Sequence, residues 1–98
     1  MFHALSDSTR RDIYRLVLQG EYSVTQLARR YPMSFAAVQK HVAILERAGL
    51  ITKQQRGRER IVRGNIDALR EVDRLLAEFE AMWRERMERF GDVLAEPD

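Results

Sequence analysis

Two consecutive stretches decide the fold. Ser34-Phe35-Ala36-Ala37-Val38-Gln39-Lys40-His41-Val42-Ala43-Ile44-Leu45-Glu46-Arg47-Ala48-Gly49 runs straight into Leu50-Ile51-Thr52-Lys53-Gln54-Gln55-Arg56-Gly57-Arg58-Glu59-Arg60-Ile61-Val62-Arg63-Gly64. Ser34 is an N-cap, its hydroxyl able to accept from a free amide of the first turn. Met33 before it and Val38 after it occupy the staple positions. Val38, Val42 and Leu45 recur at helical spacing and form a buried stripe, which leaves Phe35, Ala36, Gln39, Lys40 and Ala43 on the other side. Gly49 is the expected left-handed terminator. Beyond it the period drops to about two: Leu50–Lys53 and Arg60–Val62 are expected as short strands, joined through Arg56-Gly57-Arg58-Glu59 as a hairpin. A capped helix feeding a basic hairpin is how a chain sets a helix in a DNA major groove with a positive finger beside it.

Upstream, Asp7 caps a helix with Ile13, Leu16 and Val17 on its apolar side, and Gly20 ends it. Phe2 and Leu5 are expected in a short preceding turn that packs on the domain or on a partner. Ser23-Val24-Thr25-Gln26 matches a capping box, so a short helix runs from about Val24 to Tyr31, with Leu27 and Ala28 inward and Pro32 stopping it. The turn from Arg30 to Ser34 is tight enough to join two helices as a helix-turn-helix. Downstream, Asn65 caps a last helix with Asp67 in its first turn, continuing to about Phe90 with Gly91 as its stop. The expected fold class is mainly α with a small β-hairpin wing: a winged helix-turn-helix with a long C-terminal dimerisation helix. It forms a single domain over residues 1–98, with the helix-turn-helix at about 24–48, the wing at about 50–63 and the dimerisation helix at about 66–90.

The net charge of +2 conceals an asymmetry. Residues 1–64 hold 12 Lys/Arg against 5 Asp/Glu, whereas residues 65–98 hold 5 Arg against 10 Asp/Glu. A basic body and an acidic tail helix suggest that the body meets a polyanion while the tail faces elsewhere. With no cysteine there are no disulfides, thiolate ligands or cysteine nucleophiles. No apolar run approaches the roughly 18 residues of a membrane span, and no signal-peptide core is visible. The chain is expected to be soluble and intracellular, without membrane partners.

Gln39 is the best candidate for direct base reading, because its amide can bind adenine bidentately. Lys40 reaches guanine or a phosphate, Phe35, Ala36 and Ala37 offer apolar contact to thymine methyls, and Ser34 can donate to a phosphate at the helix start. Two positions stay open: His41 either donates to DNA or bonds a neighbouring helix half-buried, and Phe35 either faces DNA or packs on the preceding helix. Alternation along strands prevents all of Lys53, Arg56, Arg58, Arg60 and Arg63 from pointing at DNA. Arg56 and Arg58, flanking Gly57, are the expected wing contacts. Arg29 and Arg30 add further phosphate candidates.

Leu69, Val72, Leu76, Phe79, Trp83, Met87, Phe90 and Leu94 follow spacings of three and four, close to a coiled-coil seam. It either packs within the chain or pairs with its copy. Eight large apolar residues exceed what one edge of a small body needs, so a homodimer is expected, with Phe2, Leu5, Leu69, Val72, Leu76, Phe79, Trp83 and Met87 at the interface. Two-fold symmetry then places two reading helices about 34 Å apart and predicts a pseudo-palindromic operator.

These motifs resemble the ArsR/SmtB family of bacterial winged-helix repressors. The resemblance is carried by Ala4-Leu5-Ser6-Asp7-Ser8-Thr9-Arg10 and by Ser34, Val38, His41, Val42, Leu45, Ala48, Gly49 and Leu50, across about residues 4–64. It implies a homodimeric repressor with reading helix and wing on double-stranded DNA and the terminal helices at the interface. Metal sensors of the family often carry a cysteine pair on the first motif helix, where this chain has Thr25-Gln26-Leu27-Ala28-Arg29. Others bind ions between the C-terminal helices through Asp and His, where this chain has no histidine. The resemblance is therefore to the non-metal branch, with no metal and no cofactor expected, and the residues name no effector. The competing reading is a winged-helix module that binds a protein, favoured by Phe35 with Ala36 and Ala37. Two separated histidines, no cysteine and no glycine-rich phosphate loop supply no catalytic set, so no enzyme is expected.

Overall fold

The computed structural model describes residues 1–95, with side chains to residue 92, so Leu94 of the apolar series lies outside the described side chains. The chain divides into two compact units, Met1–Ala68 and a second from Leu69 onward. The order of elements is α1 (Phe2–Leu5), α2 (Ser8–Gln19), β1 (Tyr22–Ser23), α3 (Val24–Ala28), α4 (Phe35–Arg47), β2 (Ile51–Arg56), β3 (Glu59–Gly64) and α5 (Ile66–Ala95). This is the winged helix-turn-helix arrangement, mainly helical with a small antiparallel sheet.

Each helix start expected from the sequence carries its cap. The Arg10 amide donates to Asp7 Oδ1 at 3.1 Å and the Ala37 amide to Ser34 Oγ at 3.1 Å. Ser23 and Gln26 form the reciprocal box, with the Gln26 amide on Ser23 Oγ at 3.0 Å and the Ser23 amide on Gln26 Oε1 at 2.8 Å. Asn65 Oδ1 accepts from the Asp67 amide at 3.2 Å. Satisfied amides matter most for α3, which at five residues cannot hold itself together by propagation alone.

The C-terminus of α4 closes as the sequence predicts. Gly49 takes φ 79°, its amide donates to Glu46 O at 2.9 Å, and the Leu50 amide reaches back to Leu45 O at 3.1 Å. Together these bonds make the Schellman motif. Leu45 and Leu50, both fully buried, are the apolar pair that accompanies it. The chain thus leaves the helix in a fixed direction and enters β2. Asn65 locks the same junction from the far end of the hairpin, donating from Nδ2 to Gly49 O at 2.9 Å and from its backbone to Leu50 O at 2.8 Å.

The core of the first unit gathers Ile13, Leu27, Val38, Val42, Leu45, Leu50, Ile51 and Val62, all essentially without exposure. It joins α2, α3 and α4 to the sheet, whose strand order is β1-β3-β2. Burying each such side chain contributes on the order of 1.5–3 kcal/mol, so α4 is held rigidly by the stripe opposite its exposed face. Leu16, expected on the apolar side of α2, is only half-buried, and Tyr14 takes the deeper place, its hydroxyl donating to Asn65 O at 3.5 Å.

Three expected boundaries are corrected, and one strand appears that was not expected. The first motif helix ends at Ala28 and not Tyr31, because Tyr31 precedes Pro32 and is steered away from helical backbone; the Arg30 amide then closes a tighter turn on Leu27 O at 3.0 Å. The hairpin strands are longer than expected and pair from Ile51↔Gly64 to Arg56↔Glu59, leaving only Gly57 and Arg58 at the tip. Gly57, with φ 60°, supplies the positive dihedral that a two-residue hairpin loop needs at its first position. A third strand, β1, pairs Tyr22↔Val62 and Ser23↔Ile61; two residues carry no periodicity, so nothing in the pattern announced it. Finally, α5 continues through Gly91 to Ala95. A helical glycine costs only about 1 kcal/mol relative to alanine, and Gly91 does not adopt positive φ.

Candidate nucleic-acid interface

Within the first unit, the face of α4 opposite the core presents Phe35, Ala36, Gln39 and Lys40, all exposed, with Ser34 exposed at its start. Phe35 is 47% exposed. Positions 36, 39 and 40 are three and four apart, so one groove-sized surface displays an apolar methyl, a carboxamide and an ammonium together. Ser34 uses an oxygen lone pair for the cap, which leaves its O–H free to donate outward.

His41 takes the half-buried one of its two possible places. Arg10 Nη1 lies 3.2 Å from its Nδ1. A guanidinium only donates, so Nδ1 is the acceptor of this contact. Arg10 is itself 7% exposed, and its other nitrogens donate to Ala4 O at 2.7 Å and His3 O at 3.1 Å. One buried side chain thereby ties α1, α2 and α4 together. In the sequence Arg10 carries no signal of this role, because a buried arginine looks like any other cation until the carbonyls around it are known.

The turn between the motif helices is anchored in the same way. Tyr31 donates to Asp12 Oδ2 at 2.6 Å, and burial together with that carboxylate pushes its phenol well above the usual tyrosine range. Arg30 sits 5.4 Å from the Tyr22 ring centre, a cation–π distance. Neither contact is legible in the local pattern, since each joins the turn to a different element, α2 for Asp12 and β1 for Tyr22. Arg29 is exposed at the end of α3.

The wing cations fall into two classes. Lys53 pairs with Glu46 at 3.3 Å, while Arg56 and Arg63 both pair with Glu21, at 2.6 and 3.4 Å. The Arg56 guanidinium holds the Glu21 carboxyl below its usual range, with a smaller contribution from Arg63. Arg58 at the tip and Arg60 beside it are exposed and carry no ion pair among the described residues. Of the two arginines flanking Gly57, then, Arg58 projects unpartnered and Arg56 is engaged.

In the second unit, α5 exposes Leu75, Leu76, Phe79, Met82, Trp83, Met87 and Phe90, with Phe79 at 55% and Trp83 at 60%. Leu69 and Val72 are half-buried. In the first unit, Phe2 is 66% exposed and Leu5 half-buried. The described helix also carries the pairs Arg84–Glu80 and Arg89–Glu85 at i, i+4 spacing. No helix among the described residues is long and apolar enough to cross a membrane. No three His, Cys, Asp or Glu side chains gather there as a metal-ion cluster.

Comparison with known proteins places this geometry. Residues 7–53 match the pattern of a family described as bacterial regulatory protein, arsR family. The HTH-type transcriptional regulator Rv2034 of Mycobacterium tuberculosis is 37% identical over 60 residues, which are 61% of this chain and 56% of that protein, so the match spans little more than half of that relative. The uncharacterized HTH-type transcriptional regulator YuzN of Bacillus subtilis is 35% identical over 79 residues, 74% of this chain and 86% of that one. An ArsR-like transcriptional regulator from Rhodococcus sp. RHA1 superimposes with a TM-score of 0.86 at 33% identity, covering 99% of this chain and 91% of that structure. The chain belongs to the arsR family of bacterial regulatory proteins, a family of transcriptional regulators and not of enzymes.

Proposed function

We propose that this chain is a homodimeric transcriptional repressor that binds a pseudo-palindromic operator in double-stranded DNA, acting in the bacterial cytoplasm at the nucleoid. The observation that carries the reading is the α4 face, where Ala36, Gln39 and Lys40 stand exposed on a helix whose opposite stripe is wholly buried. A helix fixed so firmly on one side, with a bidentate amide and a cation on the other, suits direct reading of base edges. Arg58 and Arg60 on the wing and Arg29 at the end of α3 supply cations for flanking phosphates.

The row of exposed aromatic and aliphatic side chains along α5 supports self-association. Soluble monomers rarely leave so continuous an apolar series uncovered, and a second copy supplies an identical series. Pairing through α5, with Phe2 and Leu5 contributing, gives two reading helices related by a two-fold axis. The chain fits a regulator that does not sense metal: it has no cysteine, and one of its two histidines, His41, already spends Nδ1 on Arg10.

A gel-shift titration with the DNA upstream of its own gene tests the reading. A discrete shift competed by unlabelled specific DNA is expected. No shift up to micromolar protein would instead favour a protein-binding module, for which the exposed Phe35 is the supporting feature.

A further inference from the structure

The carboxylate of Glu21 sits where two of the wing's cations, Arg56 and Arg63, converge. Glu21 immediately precedes β1, and the register of β1 on β3 puts it level with Arg63, on the face shared by Ser23 and Ile61. The β2–β3 register puts Arg56 on that same face, directly opposite Glu59. Yet Arg56 does not pair with this near neighbour. Its Nη1 and Nη2 lie 2.6 and 3.3 Å from the two oxygens of Glu21, and Nη2 is also 3.4 Å from Gln54 Oε1. The side chain is therefore folded back along its own strand, away from the tip. Arg63 Nε approaches the same carboxylate at 3.4 Å. Two nitrogens of one guanidinium on two oxygens of one anion is the fork geometry with which arginine also grips a phosphate.

We propose that Glu21 is a built-in stand-in for a DNA phosphate, holding Arg56 and Arg63 away from the duplex until a backbone phosphate takes its place. The proposal rests on the DNA-binding reading above and extends it to a positioning residue outside the helix-turn-helix. Three features make the exchange feasible. The side chains of Arg56 and Glu21 are 48% and 39% exposed, so a phosphate can reach the pair from solvent. Exposed ion pairs are weak enough to be replaced. Backbone phosphates along DNA present the same kind of acceptor at far higher charge density. While Glu21 is engaged, the cluster of two arginines and one carboxylate carries a net +1, and only Arg58 and Arg60 offer the wing's full charge. Arg56 then adds its contact after docking, once the tip is already in place.

The test uses the whole chain and a random-sequence duplex of about 24 base pairs, with affinity followed by fluorescence anisotropy as salt is varied. Glu21→Gln is expected to tighten binding about three- to tenfold at moderate salt and to steepen the log–log salt slope by about one unit per protomer. Glu21→Asp, which keeps the charge, is expected to stay within about twofold of the parent. Glu59→Gln removes the same charge from the same face without freeing an arginine, so its gain should be smaller. In a background carrying Arg56→Ala and Arg63→Ala, the gain from Glu21→Gln should fall below about twofold. Weaker binding by Glu21→Gln would show that the carboxylate is a strut the wing needs on DNA, and would overturn the proposal. An equal gain in both backgrounds would reduce Glu21 to simple repulsion and overturn it as well. A parent protein that ignores the duplex even at low salt would overturn the DNA-binding reading itself.

Discussion

Replacing Arg10 by methionine removes the guanidinium but keeps most of the stem, so the loss is polar and not a cavity. Three acceptors lose their donor: Ala4 O, which is buried, and His3 O and His41 Nδ1, which are partly reachable by water. Hydrogen bonds from charged donors contribute about 1.5–3 kcal/mol each where burial prevents water from replacing them, and less where it does not. Full weight for one bond and partial weight for two gives a cost of about 2–4 kcal/mol. For a domain of this size each kcal/mol moves the melting midpoint by roughly 4–8 °C. Arg11→Met is the internal control. Arg11 is the neighbouring residue and donates to Leu5 O at 2.8 Å, but that bond is exposed, so its loss should stay within about 0.5 kcal/mol. Urea unfolding followed by far-UV circular dichroism measures both. Hydrogen exchange at the amides of Leu5 and Ser6, which bond back to Met1 O and His3 O, should show α1 opening in the Arg10 variant alone. Equal stability losses for the two variants, or unchanged protection of those amides, would refute the argument that burial turns Arg10 into the link between α1 and the reading helix.

Three further outcomes follow from the same structure. Gln39→Ala should weaken specific DNA binding by about 1–3 kcal/mol while leaving binding to random duplex nearly unchanged, as competition titrations with specific and random DNA would show. Removing Arg56 and Arg58 together by alanine should weaken both specific and non-specific binding and flatten the salt slope, measured by anisotropy; binding equal to the parent at moderate salt would remove the wing from the interface. The Asp7 carboxyl is held below its ordinary range chiefly by the Arg10 amide. Its folded-state value thus lies below its unfolded one, so the stabilisation is complete above the ordinary carboxylate range, about pH 4, and is lost as pH falls through the lowered value. Acid titration by circular dichroism should accordingly show a shallower acid-side slope for Asp7→Asn.

What the sequence disclosed and what it hid divide along a physical line. Caps and terminators act over three or four residues, and Asp7, the Ser23–Gln26 box, Ser34, Gly49 and Asn65 all do what their local chemistry dictates. The buried stripe of α4 was legible because its period is set by the helix itself. The strand β1 was not, because it exists only through its pairing with β3. Gly91 misled for a related reason: a glycine stops a helix when the following chain turns away, and here the helix runs on to Ala95. At the candidate site, the exposed face of α4 was foreseen, but the partners that restrain its surroundings were not. Arg10 with His41, Asp12 with Tyr31, and Glu21 with Arg56 lie 31, 19 and 35 residues apart in the chain. Only a fold brings such pairs together, and they decide which cations remain available to a duplex.

The central claim is that two copies joined through α5 present two reading helices to one duplex, and the mass of the complex in solution tests it most directly. Sedimentation equilibrium of the protein, alone and with a duplex carrying its upstream sequence, should give two protomers in both cases, with one duplex bound per pair at low salt. A stable single protomer that leaves the duplex sedimenting as free DNA would contradict it.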